Sequence, residues 1–161
     1  MSSDFANLLV RPMGPDDADL WRELRFEGLE RHPASFLTTL EEARAKPPEA
    51  VVGMLECGNT FGVFASDVPV GIGSILRMGH LRTRHRAEVG AFYIRAQAQG
   101  TPAARLLMAS LENRARALGV TQLELTAASD NARGIRFYER CGFRYVATRP
   151  NAVIMREGPL D

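Results

Sequence analysis

Lysine is almost missing from this chain: of 20 basic residues, only Lys46 is not an arginine. With alanine abundant, that bias reflects genome composition more simply than function. Cysteine is scarce too. Cys57 and Cys141 stand far apart and form no CxxC pair, so they give no paired-cysteine motif and are expected to be inert packing residues. The three histidines, His32, His80 and His85, lack metal-ligand spacing, and no metal is expected. An excess of charge of one sign is also lacking. The net charge of +1 gives no electrostatic case for binding nucleic acid. No apolar run approaches the ~18 residues of a membrane span, and MSSDFANLLVRP has no basic-then-apolar signal pattern. No membrane partner and a reduced, cytoplasmic setting are the resulting expectations.

What is present is ordinary for a globular protein: 45% hydrophobic and 24% charged residues in a chain of 161. That length suits one domain over residues 1–161, able to bury roughly 70% of its unfolded surface. No repeat, low-complexity segment or linker divides it. Residues 7–11 (NLLVR) predict a short strand ended by Pro12. GPDDADLWRELRFEGLERHP predicts a helix, with Pro15, Asp16 and Asp17 suited to its first turn and an apolar face of Leu20, Leu24 and either Phe26 or Gly28 to Leu29. Residues 35–45 predict a loop and a short helix, and Pro47-Pro48 open another helix running to about Glu56.

The middle predicts a meander. NTFGVFAS and VPVGIGSILRMG form strands joined by a tight turn at Ser66-Asp67, and RAEVGAFYIR follows as a third strand after the loop HLRTRH. The last third changes style. Residues 101–118 place Ala104, Leu107, Met108, Leu111, Ala115 and Leu118 at helical period, and Gly119 closes that helix. TQLELTA predicts a strand, residues 131–141 a helix, and FRYVA and AVIMR two final strands. The order is mixed α/β: a meander, then strand-helix-strand-helix-strand-strand.

The segment AQGTPAAR, residues 98–105, joins a strand to a helix through a glycine-containing turn with no acidic residue near the helix start. Free N–H groups and the helix dipole make such a junction an anion site, although many similar turns bind nothing. Thr101 as N-cap and Pro102 at the first helical position also make a good helix start. The downstream segment NARGIRFYERCGF sets Asn131, Tyr138 and Gly142-Phe143 in a fixed frame.

Together these two segments resemble the GNAT N-acetyltransferase superfamily. Its Q/R-x-x-G-x-G/A motif falls on Gln99 to Ala104, with Pro102 in place of a glycine. Its N-x-x-A-x-x-(F/L)-Y-x-x-x-G-F motif falls on Asn131 to Phe143, with Gly134 in place of alanine. VRPMGPDDADLWRELR is similar to the family's first strand and helix. The resemblance implies a mostly antiparallel twisted sheet with one splayed parallel strand pair, flanked by helices. It also implies transfer of acetyl from acetyl-CoA, as co-substrate, to a primary amine, with no catalytic metal. The cofactor would sit between the strand ending at Ile94 and the TQLELTA strand. Backbone groups of Phe92, Tyr93 and Ile94 would pair with its pantetheine, and those of Gln99, Gly100, Thr101, Ala103, Ala104 and Arg105 with its pyrophosphate. Pro102 removes one donor. Arg105 either adds charge there or is solvated helix surface.

By the same resemblance Tyr138 is the acid for the departing thiolate; otherwise it is a packing tyrosine beside Phe137. Asn131 contacts the cofactor or a water, caps the last helix, or does both. Glu88, expected on the same side as Gly90 and Phe92, is either the base for the amine or a salt-bridge partner. Phe36, Thr38 and Glu41 are candidates for the acceptor wall, or simply loop packing. His80, Arg82, Arg84, His85 and Arg86 could meet an acidic acceptor or face solvent. The acceptor is a small amine, or a protein N-terminus or lysine. A CoA-binding regulatory protein with little turnover is the other class of function. A homodimer is a family-level expectation.

Overall fold

The computed structural model describes residues 5–161. Strand β1 (Leu8–Pro12) leads through a single 3-10 turn into helix α1 (Ala18–Arg31). The turn is held by Asp17, whose carboxylate accepts from Gly14 N–H at 2.9 Å and pairs with Arg11 at 2.8 Å. Helices α2 (Leu40–Ala45) and α3 (Pro48–Glu56) follow, so residues 35–45 hold the expected loop and short helix. Thr39 and Glu42 cap α2 reciprocally.

The meander forms as expected from β2 (Thr60–Ala65), β3 (Val68–Arg77) and β4 (Arg86–Ile94). Then come helix α4 (Ala103–Ala117), strand β5 (Gln122–Glu124) and helix α5 (Ala132–Arg140). The sheet is ordered β1-β2-β3-β4-β5. Every neighbouring pair is antiparallel except β4 and β5, which run parallel. This is the mixed α/β sheet that the resemblance implies.

Each face of the sheet is covered by helices. On one side α1 and α3 bury Met13, Trp21, Leu24, Val51 and Leu55 against Ile72 and Tyr93. The buried stripe of α1 is Trp21, Leu24, Gly28 and Leu29, at the i, i+3, i+7, i+8 spacing of one helix face. On the other side α4 buries Ala103, Leu107, Met108, Leu111 and Ala115. Leu107, Met108 and Leu111 are almost wholly inaccessible; burying each such side chain is worth about 1.5–3 kcal/mol.

A polar network pins α1 to the end of β4. Tyr93 Oη donates to Glu27 Oε1 at 2.8 Å, and Arg95 Nε donates to Glu27 Oε2 at 2.9 Å. Arg95 also pairs with Glu23 and donates to the Pro69 carbonyl. Burial opposes ionisation of Glu27, but the hydrogen bonds from Tyr93 and Arg95 outweigh it and hold the carboxyl below its usual range. The Tyr93 phenol is pushed up to about 12, by burial first and then by the Glu27 carboxylate.

Two expected strands change. β5 is confined to Gln122–Glu124, because only Arg86, Ala87 and Glu88 of β4 stand opposite it. The strand expected at 143–147 does not form. Phe143 packs into the core beside α5, but Tyr145 and Val146 are exposed and no described strand pairs with the segment. Its alternation is strand-like, yet a ladder needs a partner that the segment itself does not contain. The final strand is shorter than expected and pairs elsewhere. β6 (Val153–Met155) forms a separate two-stranded ribbon with β7 (Gly158–Leu160), an element the sequence did not disclose.

The β2–β3 turn puts Ser66 at φ 46° and Asp67 at φ 69°, the left-handed pair of a type I′ hairpin. Serine does not favour that region, which costs about 1–2 kcal/mol for an ordinary residue, and aspartate enters it less readily than glycine. Replacing Ser66-Asp67 by Asn-Gly is expected to stabilise the protein by about 1 kcal/mol and raise Tm by about 2–4 °C in thermal denaturation. An unchanged or lower Tm would contradict this account of the turn.

Candidate active site

The site begins where β4 and β5 part. Their parallel ladder holds for three positions, Arg86 with Gln122, Ala87 with Leu123 and Glu88 with Glu124. Just beyond it, Ala91 adopts φ 49°. Gly90 stands opposite Ser74 and Tyr93 opposite Ile72, so Ala91 and Phe92 share the single position facing Gly73. That is a β-bulge, and it shifts the alternation of every later side chain by one.

The bulge corrects one expectation. Strict alternation puts Glu88, Gly90 and Phe92 on one side. Instead Phe92 joins Ala87 and Val89 on the α4 side, stacked on Phe137 with ring centroids 5.7 Å apart. Tyr93 is turned to the α1 side, where its hydroxyl is committed to Glu27. Ile94 packs against Val63, Val70 and Leu107.

The parted strands leave a cleft of about 200 Å³, lined among others by Arg25, Phe36, Thr38, Glu88, Phe92 and Tyr138. Glu88 and Tyr138 are thus brought together from segments 50 residues apart in the sequence. Phe36 and Thr38 join them from the loop before α2, whereas Glu41 does not line the cleft. A separate depression of about 260 Å³ beside β6 and β7 holds none of the motif residues.

Tyr138 lies in an aromatic nest, edge-on to Phe92, Phe137 and Phe143 at centroid distances of 6.3, 5.5 and 6.0 Å. Burial, with a smaller contribution from Cys141, pushes its phenol up to about 12. Cys141 is itself pushed up by burial, which keeps it a thiol.

Charge is distributed unevenly around Glu88. Its cross-strand neighbour Glu124 takes two hydrogen bonds from Arg86 and a third from Gln122. The Arg86 guanidinium, followed by other contributions, holds the Glu124 carboxyl below its usual range. Glu88 enters no ion pair among the described residues. The salt-bridge role considered for it is therefore not the one it has. His80, Arg82, Arg84 and His85 do not line the cleft, and Arg86 is committed to Glu124.

The other end of the site is the start of α4. Gly100 takes φ 81°, a left-handed turn that glycine enters without strain. Gln99 Nε2 donates to the Ile94 carbonyl at 3.0 Å, so its side chain braces the end of β4. Thr101 Oγ1 donates to the Ala98 carbonyl at 2.6 Å and accepts from Ala103 N–H at 3.3 Å. The first intrahelical bond runs from Leu106 N to Pro102 O. Pro102 therefore occupies the N-cap, one position earlier than its expected place inside the helix. The N–H groups of Ala104 and Arg105 precede that first bond and have no intrahelical acceptor. No acidic residue stands in the first turn.

Asn131 caps α5, its Oδ1 accepting from Gly134 N–H at 3.0 Å. A Cβ at position 134 would fall 2.5 Å from Asn131 Nδ2. The glycine standing in place of the family alanine makes room for this cap.

Sequence reasoning missed two features here. Arg25 lies four residues after Trp21 and one after Leu24, so it sits inside the buried stripe of α1. A charged residue at such a position is the signal that could have found it. The bulge at Ala91 leaves no such sign.

The sequence profile of the acetyltransferase (GNAT) family matches residues 3–143. No curated protein matches the chain. Among solved structures, a GNAT-family acetyltransferase from Streptococcus pneumoniae superposes with TM-score 0.78 at 22% identity, over 96% of this chain and 94% of that one. YncA from Salmonella typhimurium, determined with its cofactor acetyl-CoA, superposes at 0.82 and 21%, over 96% and 89%. A ribosomal-protein-alanine N-acetyltransferase from Brucella melitensis superposes at 0.77 and 21%, over 94% of each chain. At these identities the likeness is one of fold, whereas the profile covers most of the chain itself: this protein belongs to the acetyltransferase (GNAT) family.

Proposed function

We propose that this acetyltransferase moves acetyl from acetyl-CoA to a primary amine by direct attack of the amine, without a covalent enzyme intermediate. The observation that carries this proposal is the meeting of Glu88 and Tyr138 in one cleft at the parting of β4 and β5. One group can take a proton and the other can give one.

The residues present fit acetyl-CoA. Beyond Glu88 the β4 edge has no strand partner, so the backbone of Phe92, Tyr93 and Ile94 borders an open gap. Gln99 already occupies the Ile94 carbonyl, which leaves Phe92 and Tyr93 as the freer part of that edge. At the far end, Gly100, Thr101, Ala103, Ala104 and Arg105 would hold the pyrophosphate, with Ala104 and Arg105 as the readiest donors. Pro102 costs little in this arrangement, because its missing N–H precedes the first turn of α4. Asn131 acts through its cap on α5, which sets where Tyr138 stands. When bound, acetyl-CoA supplies a thioester carbonyl and a thiolate leaving group.

Tyr138 holds its proton throughout the neutral range, because a phenol raised to about 12 ionises only in strong alkali. Its Oη is therefore a competent donor to a developing thiolate. Glu88, without an ion pair, is available to accept a proton from an ammonium or from a water between them. Val89, Phe92 and Leu125 supply the apolar part of the cleft wall.

Calorimetric titration tests the cofactor assignment directly: acetyl-CoA should bind, and turnover should follow with a primary amine. No binding at millimolar cofactor would overturn the proposal, and binding without transfer to any of a panel of amines would favour a regulatory CoA-binding protein. Tyr138→Phe is expected to lower kcat by about 10²-fold with little change in acetyl-CoA affinity, measured where chemistry limits turnover. An unchanged kcat would remove Tyr138 from the acid role.

Glu88→Gln is expected to lower kcat/KM by about 10²-fold near pH 7. Its deficit should shrink as pH rises towards the amine pKa of about 10, where free amine no longer needs a base. The Tyr138→Phe deficit should not shrink over that range, because Tyr138 stays protonated to about 12. A Glu88→Gln deficit that is independent of pH would assign Glu88 to binding instead.

A further inference from the structure

Several arginines of this fold are neutralised within it: Arg11 by Asp17, Arg86 by Glu124, and Arg95 by Glu23 and Glu27. Arg25 is the arginine of the cleft, and it has no such partner. It is half-buried on α1, lines the space between the parted strands, and enters no ion pair among the described residues. Its guanidinium carbon lies 4.7 Å from the centroid of the Phe36 ring, a cation–π contact on one face. Burial pushes its pKa below the usual arginine value, and no neighbouring carboxylate offsets that shift. Arginine nevertheless stays charged at any pH the protein meets. A half-buried cation without a counter-ion is costly, and the cost falls when an anion arrives.

Glu88 is the complementary case, a carboxylate in the same cleft with no ion pair of its own. The two opposite charges line one cavity and are not paired with each other. We propose that the acceptor is a zwitterion, a free α-amino acid whose ammonium meets Glu88 and whose carboxylate meets Arg25. This rests on the acetyl transfer proposed above and names its substrate class. A cavity of about 200 Å³ suits a molecule of that size. Phe36, Leu37 and Leu125 in its wall favour an apolar side chain. A peptide N-terminus or a simple amine carries no carboxylate beside its amino group, and either would leave Arg25 unpaired. An arginine–carboxylate pair is planar and bidentate, so it orients the amino group as well as binding the acid.

The test needs no turnover. L-leucine, L-valine and L-phenylalanine, each with its carboxamide, are titrated calorimetrically into the protein with CoA present. The acids are expected to bind about 10–100-fold more tightly than their amides. Arg25→Gln should bring that ratio close to one, and Arg25→Lys should keep part of it, with circular dichroism confirming that both variants fold. Equal binding of acid and amide, binding of neither, or a preference that survives Arg25→Gln overturns the proposal. In kinetics the same preference should appear in KM for the acceptor more than in kcat. Acetyl transfer is read separately. Discrimination of acids without any transfer would overturn the proposed function and leave the zwitterion site standing. Transfer to amides as readily as to acids would overturn the zwitterion site alone.

Discussion

The site depends on one residue held where alanine does not prefer to be. Ala91 takes a left-handed conformation in the middle of β4, against a cost of about 1–2 kcal/mol. It persists because the sheet determines it from both sides. The ladder to β3 is in register before and after the bulge, and Phe92 and Tyr93 are each anchored on opposite faces. Releasing Ala91 to ordinary strand geometry would turn Phe92 away from Phe137 and Tyr93 away from Glu27. The strain is thus retained by packing on both sides of the sheet, and next to it β4 and β5 part.

A second constraint is the allocation of charge. The chain carries nearly balanced positive and negative residues, and around the sheet most of those near the core are committed to partners. Glu27 receives both Tyr93 and Arg95, while Arg86 and Gln122 saturate Glu124. This last pairing matters most for chemistry. Without Arg86, two like-charged carboxylates would face each other across β4 and β5. With it, Glu124 is neutralised and Glu88 is left without a partner. The cleft therefore presents one available carboxylate and one available guanidinium in a lining of mixed polar and apolar residues.

The start of α4 reconciles two demands made on the same few residues. A helix start needs a cap, and an anion site needs uncapped donors. Thr101 serves the first through the Ala98 carbonyl and Ala103 N–H, and Pro102 occupies the N-cap, where a missing N–H is least costly. The donors of Ala104 and Arg105 are left over. Proline in place of the family glycine is thus compatible with both demands, since φ near −64° suits the helix entry and the left-handed turn is taken by Gly100.

Much of this was legible in the residues themselves. The period of Leu107, Met108, Leu111 and Ala115 marked α4 and its buried face, and the order of the two motifs marked the family and the positions of Tyr138 and the α4 turn. Asn131 as a cap was legible too, because capping is a local hydrogen bond between near neighbours. These features depend on contacts within a few residues, and a linear sequence records such contacts directly. Tertiary structure decided the rest. FRYVA has the pattern of a strand and no partner to pair with. β5 stops at Glu124 because β4 leaves it, the bulge turns Phe92 to the other face, and Arg25 becomes significant only where Glu88 and Phe36 share its cavity. Each of these outcomes depends on which distant segment lies alongside, a relation set by packing the whole chain and carried by no local pattern.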